Sequence, residues 1–197
     1  MSTFISEIIS MRYPPEYKAA ARARLIESSG ALAKQKGFSS TGMDALAAAA
    51  GVTTGAFYSQ FKSKSDLLYA IVDHELSRTV TAFEGKTGTD LEKVMQWYLS
   101  PKHAAHPETG CPIPSLGAEI ARADDATRQH FENLLKQIVE TLQHTTKTDE
   151  IAWQLLAQAV GAIMLSRAVI NPETQLTILK AAQQGILSHI TSSESDC

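Results

Sequence analysis

The sequence predicts an all-α protein: an N-terminal three-helix helix-turn-helix head plus a larger helical domain, about nine helices in all. Three observations predict it. Apolar residues recur at steps of three and four along most of the chain, and no run of alternating β-branched residues appears. Residues Gly37 to Leu68 read as two short helices broken at Gly51 and followed by a fresh helix start. Charge is divided: residues 1–64 hold eight Lys/Arg against four Asp/Glu, and residues 65–197 hold ten against seventeen. A first third at +4 beside a remainder at −7 is hidden in the overall net charge of −3. It is the asymmetry of a nucleic-acid-reading head on a body that does not touch nucleic acid.

The elements follow in order. Residues 1–15 are an N-terminal extension. It is either frayed or an arm that packs on the head or reaches toward a DNA groove, with Arg12 as its only cation. Pro14 and Pro15 stop any helix there and start the next. Glu16 to Lys36 is the first long helix, striped by Leu25, Ile26, Leu32 and Ala33; Lys34 and Lys36 suit its C-terminal dipole and Gly37 caps it. Met43, Leu46, Ala47 and Ala50 make one apolar face of a short helix. Gly51 supplies the left-handed turn, and Thr53 or Thr54 opens a second short helix carrying Phe57, Tyr58 and Phe61. Ser63 or Ser65 caps a helix to about Phe83, a natural lever from the head into the body.

Thr89 to Glu92 has the form of a capping box opening a helix to about Ser100. Pro101 to Pro112 reads as a loop. Ile113 to Ala123, a helix opened by Asp124 and Asp125 that runs to about His144, Asp149 to about Ile170 and Glu173 to about Ile190 are further helices. A Ser-rich tail closes the chain.

At 197 residues, 44% apolar and 20% charged, the chain allows one or two domains with a substantial core. No run reaches about 18 uncharged apolar residues, so no membrane span is expected. Nor does the N-terminus have the form of a signal peptide. Two distant cysteines, Cys111 and Cys197, argue against a disulfide framework and suit a reducing cytoplasm.

The order from Gly37 through Phe38, Thr41, Leu46, Ala47, Gly51, Val52, Gly55, Phe57, Tyr58, Phe61, Ser63, Lys64 and Leu67 resembles the DNA-binding domain of the TetR family of transcriptional regulators. The resemblance implies a head over residues 16–64 and an effector-binding and dimerisation domain over residues 65–197. It implies a DNA-binding regulator, a repressor released from double-stranded operator DNA by a small-molecule effector, with homodimers formed through the last two helices. The chain departs from the family pattern at Gly30 in mid-helix, at Ala33 where a bulky aromatic is usual, and at Thr54 and Ala56 on the reading face.

The expected DNA-binding residues are Thr41, Thr53, Thr54, Gly55, Ala56, Tyr58, Lys62 and Lys64. Thr54 and Gly55 approach base edges, while Thr41, Tyr58, Lys62 and Lys64 take phosphates. The expected effector pocket is Met95, Trp97, Tyr98, Cys111, Leu116, Phe131 and Trp153, and each is also an ordinary core candidate. Arg122, Arg128 and Arg167 are expected at the surface, so the effector should be apolar or aromatic rather than highly charged. Cys111 is expected in the core or pocket wall. With His103 and His106 nearby, an electrophile sensor or a metal site can be drawn, but the spacing matches no established ligand pattern. No Walker loop, GxSxG or HExxH is present, so no enzyme, metal or cofactor is expected. The rival reading is a helical small-molecule-binding or redox/electrophile-sensing protein with altered or lost operator binding.

Overall fold

The computed structural model describes residues 15–143, 146 and 148–191, with side chains described from residue 19 to residue 190. The extension before residue 15, Cys197 and the rest of the Ser-rich tail lie outside them. Among the described residues there are ten α-helices and no strand.

Three helices make the head: α1 (Pro15–Lys36), α2 (Met43–Ala49) and α3 (Thr54–Tyr58). Gly37 at φ +83 ends α1 and Gly51 at φ +69 turns the chain from α2 to α3, both in the left-handed region that favours glycine. Across that turn the Val52 N–H returns to the Ala47 carbonyl at 3.0 Å. Of the two candidate caps for α3, Thr53 serves, its hydroxyl accepting from the Ala56 N–H at 3.1 Å. Ala33 is fully buried, and Phe38, Leu46, Phe57 and Phe61 are buried in the same hydrophobic core. The small residue at position 33 is therefore a core residue, as the apolar stripe of α1 predicts.

Helix α4 (Lys64–Phe83) leaves the head through a reciprocal cap. Ser63 Oγ accepts from the Asp66 N–H at 3.0 Å, and the Asp66 carboxylate accepts from the Lys62 N–H at 3.1 Å. It crosses α1 at Gly30, where a Cβ would stand 3.2 Å from Glu75 Oε1 and 3.3 Å from Ile71 Cγ2. That mid-helix glycine costs helix propensity but permits the close crossing.

The body continues with α5 (Gly88–Tyr98), α6 (Pro101–Ala105), a 3₁₀ turn at Pro107–Thr109, α7 (Ile113–Ile120), α8 (Asp125–Gln143), α9 (Asp149–Ala168) and α10 (Pro172–Thr191). The main pairings are α4 on α8 and α9 on α10. Three local expectations change. Helix α5 starts at Gly88 after Thr87, whose side chain makes no cap bond, so the Thr89–Glu92 pattern does not cap it. The stretch expected to be a loop holds α6: Ser100 accepts from the His103 N–H, and Pro101 sits in the first turn. Helix α7 ends at Ile120 rather than Ala123.

Arg167, expected at the surface, is instead a lock for α6. Its guanidinium donates to the Ala104 and His103 carbonyls at 3.0 and 3.1 Å and to Ser115 Oγ at 2.9 Å. These bonds satisfy carbonyls that a five-residue helix leaves open.

The head is also tied to the body by Glu119 on α7. Its carboxylate accepts the Phe38 and Ser39 N–H groups, both at 2.7 Å, and the Ser39 hydroxyl at 3.1 Å. Charge-assisted bonds of this kind are the stronger ones. Glu119→Ala is expected to lower unfolding free energy by about 1–2 kcal/mol, read from the urea midpoint; an unchanged midpoint would remove this tie from the account.

Candidate nucleic-acid interface and junction cavity

Recognition by a helix-turn-helix needs the N-terminal part of its second helix exposed. Thr53, Gly55, Ala56 and Tyr58 are all exposed on α3, as is Lys62 just after it, while Phe57 is fully buried beneath. Tyr58 keeps 53% of its surface and packs edge-on against the Phe57 ring. Arg22 of α1 closes the far end of α3. It donates to the Gln60 carbonyl at 2.8 Å and lies 4.0 Å above the Phe61 ring.

The structure separates the remaining expected DNA-binding residues from this group. Thr41 is buried, with its hydroxyl donating to the Gly37 carbonyl at 2.6 Å. Lys64 donates to the Thr41 and Ser39 carbonyls at 2.8 and 3.2 Å and covers the Phe38 ring. Both hold the α1–α2 turn in place. Thr54 is half-buried and donates to the Asp44 carboxylate at 2.6 Å. That bond fixes its rotamer, and Asp44 adds an acceptor beside the reading face.

The second candidate site is a cavity of about 580 Å³ where head and body meet. Its walls come from α1 (Ala31, Lys34), α4 (Glu75, Phe83), α5 (Trp97, Tyr98) and the Gly110–Cys111 segment. Three expected pocket residues, Trp97, Tyr98 and Cys111, are thereby brought together. Met95 lies behind them on a small apolar void shared with Tyr98 and Cys111. The other three are elsewhere. Leu116 is fully buried core, Phe131 lines a surface depression between α7 and α8, and Trp153 is 42% exposed on α9.

The cavity wall also departs from the expected chemistry. Glu27, Lys34, Glu75, Arg78, Lys93 and Glu108 all contribute to it, so charged groups do converge here. At its centre the buried Lys34 ammonium bonds the Glu75 carboxylate and the Gly110 carbonyl, each at 3.0 Å. Head, lever and the Cys111 loop thus meet at one side chain. Sequence reasoning does not single out this pair. The available signal is that Glu75 stands four residues after Ile71 on the apolar stripe of α4.

His103 organises the loop. Its Nε2 accepts the Cys111 N–H at 3.0 Å, which places the ring proton on Nδ1, donating to the Tyr98 carbonyl at 2.6 Å. Both ring nitrogens are thus engaged, and His106 bonds Glu108 at 3.1 Å, so the conceivable His103–His106–Cys111 metal set is not assembled. Burial pushes the Cys111 thiol up, opposite to the shift that activates a thiol. The side chain is cavity wall.

Burial likewise lowers the His103 pKa, and the nearby Arg167 and Lys34 charges add to the shift, against the bond to the Tyr98 carbonyl. The unfolded chain takes up this proton near pH 6.5, and the folded chain only at lower pH. The stabilisation from neutral His103 is therefore complete above about pH 6.5 and is lost as pH falls from there through the folded value. The urea midpoint should drop on acidification through this window, and His103→Asn should flatten the drop. A profile equally steep in the variant would contradict the assignment.

A basic head with an exposed recognition helix, set on an acidic helical body with a cavity at the joint, defines a helix-turn-helix transcriptional regulator. Residues 25–71 match the family model described as bacterial regulatory proteins, tetR family. Over these residues, which span most of the head and the start of α4, the chain is similar to that family. A helix-turn-helix-type transcriptional regulator from the lacX 3′ region of Lactococcus lactis subsp. lactis is 22% identical over 160 residues, 73% of this chain and 82% of that protein. A TetR transcriptional regulator from Chloroflexus aurantiacus superposes with a TM-score of 0.72 at 22% identity, over 89% of this chain and 96% of that one. AibR in complex with isovaleryl coenzyme A and operator DNA gives a TM-score of 0.61 at 16% identity, over 86% and 98% of the two chains. At these identities the superpositions establish a shared fold.

Proposed function

We propose that the chain is a cytoplasmic, homodimeric repressor whose head, residues 16–64, binds operator DNA and whose body, residues 65–197, binds a small-molecule effector that releases it. The observation that carries this reading is the exposed face of α3, with Thr53, Gly55, Ala56, Tyr58 and Lys62 unburied on a head that is otherwise closely packed. Thr53, Gly55 and Ala56 would approach base edges, and Tyr58 and Lys62 the phosphates. Thr54 reaches a base only by giving up Asp44, and Thr41 and Lys64 act by positioning the head. The AibR complex supplies a precedent in the same fold for ligand and operator together.

The dimer reading rests on α9 and α10. Trp153, Met164, Leu165 and Leu176 are 40–60% exposed there. Helix α9 is long and apolar enough to cross a membrane by length and composition, with 33% of that window buried. Its packing on α10 and the bonds of Arg167 place it in a folded body, and a second copy would cover the remaining apolar stripe. Small residues on these two helices also pack within one chain: Ala162 and Ala182 are buried, and Gly185 sits against Gln158.

A ligand that prefers the state with altered head spacing lowers DNA affinity by the factor that DNA lowers its own. A mobility-shift titration with DNA from upstream of its own gene tests the reading. Tyr58→Ala is expected to weaken specific binding about tenfold or more, the effect of removing one side chain that anchors the head on a phosphate. No sequence-specific shift by the unaltered chain, or no effect of the variant, would sink it.

A further inference from the structure

We infer that the junction cavity takes a planar aromatic molecule carrying an acceptor oxygen, a carbonyl or a carboxylate, and that this oxygen competes with Glu75 and Gly110 for Lys34. The inference rests on the regulator reading and names the ligand class for it.

The buried polar groups of the cavity decide the acceptor. Tyr98 is 5% exposed, yet its hydroxyl has no hydrogen-bond partner of ordinary geometry; its polar neighbour is the weakly bonding Cys111 thiol. An unpaired buried hydroxyl is costly, so a ligand oxygen that pairs it is favoured. A hydroxyl can donate or accept. Lys34, which bonds the Gly110 carbonyl next to Cys111, can only donate. Its ammonium has three N–H bonds, of which Glu75 and Gly110 occupy two. A ligand oxygen that reaches Lys34 must therefore be an acceptor, and an acceptor also suits the Tyr98 hydroxyl.

The apolar wall decides the ring. Trp97 stacks on His103 through one face, with centroids 5.0 Å apart and 23° between planes, and still keeps 53% of its surface exposed. Its uncovered surface lies on the same cavity as Phe83, Val94 and Ala31. A flat ring suits a wall of this kind, and a cavity of about 580 Å³ suits a drug-sized molecule.

The position also supplies the coupling. Lys34 belongs to α1 of the head and Glu75 to α4, so a ligand oxygen on Lys34 loosens the bond that sets the angle between head and lever. A carboxylate competes with Glu75 as an anion, and a neutral carbonyl competes as a weaker, dipolar acceptor.

Calorimetric titration of the full-length protein with three probes tests the inference: 2-naphthoate, 2-acetonaphthone and 2-naphthylmethylammonium. The first two are expected to bind saturably and the ammonium compound not to. Tyr98→Phe, confirmed as folded by its melting transition, is expected to weaken binding about tenfold, with Lys136→Gln, an exposed side chain of α8, as a neutral control. Stronger loss of naphthoate than of the ketone in a folded Lys34→Met, Glu75→Gln chain identifies the carboxylate as the form held by Lys34; equal loss identifies the carbonyl oxygen as sufficient. Equal binding of the ammonium probe, binding unchanged in Tyr98→Phe, or no binding of any probe overturns the inference. Because ligand-free DNA binding is measured separately, a chain that shifts DNA but ignores all three probes fails this inference alone. A chain that binds the probes but no DNA fails the regulator reading alone.

Discussion

Lys34→Met is expected to lower the unfolding free energy by about 3–5 kcal/mol. The ammonium it removes has a side chain only 2% exposed, and the carboxylate it leaves behind on Glu75 is 9% exposed. Breaking a buried pair by removing one partner leaves a charge without compensation, which costs more than the intact pair contributes. The Gly110 carbonyl loses the same donor. Adding Glu75→Gln should restore a substantial part of the loss, because a neutral amide is far cheaper to bury than a bare carboxylate. Urea denaturation of the two single variants and the double variant measures this directly. Strict additivity would mean that the pair does not couple α1 to α4.

Gly110→Ala is expected to cost about 1–3 kcal/mol through overpacking. The backbone there has an ordinary extended conformation, φ −88 and ψ −179, so the glycine is not needed for its dihedral freedom. It is needed for space: an added Cβ would collide with the His103 ring. That ring cannot swing aside cheaply. It bonds the Tyr98 carbonyl and the Cys111 N–H and is packed between Trp97 and Tyr98. The collision should therefore move the loop that forms one wall of the cavity, weakening both stability and ligand binding. Combining Gly110→Ala with His103→Ala should cost less than the sum of the two single losses; a simple sum would show that the loop yields elsewhere.

The head is legible in the sequence because its signals are local. Gly51, Thr53 and Ser63 each specify a turn or cap within a few residues, and Phe57 and Phe61 read as core from spacing alone. The body helices are legible for the same reason, through their 3.6-residue periodicity. The junction is not legible, because Lys34 and Glu75 lie 41 residues apart, and Lys34 and Gly110 lie 76 apart. Lys34 taken alone fits the ordinary role of a cation near a helix C-terminus. Arg167 escapes sequence reasoning for a similar cause: the carbonyls it bonds belong to α6, a helix that composition hides within a Pro-rich stretch. Trp97, Tyr98 and Cys111 share the cavity with charged groups that the apolar pattern does not reveal. Thr54 and Lys64 show the converse limit, since a polar residue on a reading helix or beside it can be occupied within the chain.

The central claim is that two such heads, carried by one dimer, dock together on one DNA site. Sedimentation of the chain with a duplex from upstream of its gene tests it most directly, at micromolar protein and moderate salt. The predicted result is a dimer without DNA and an even number of chains, two or a pair of twos, on each bound duplex. A monomer that stays monomeric and binds singly, or a dimer that leaves every such duplex free, would contradict it.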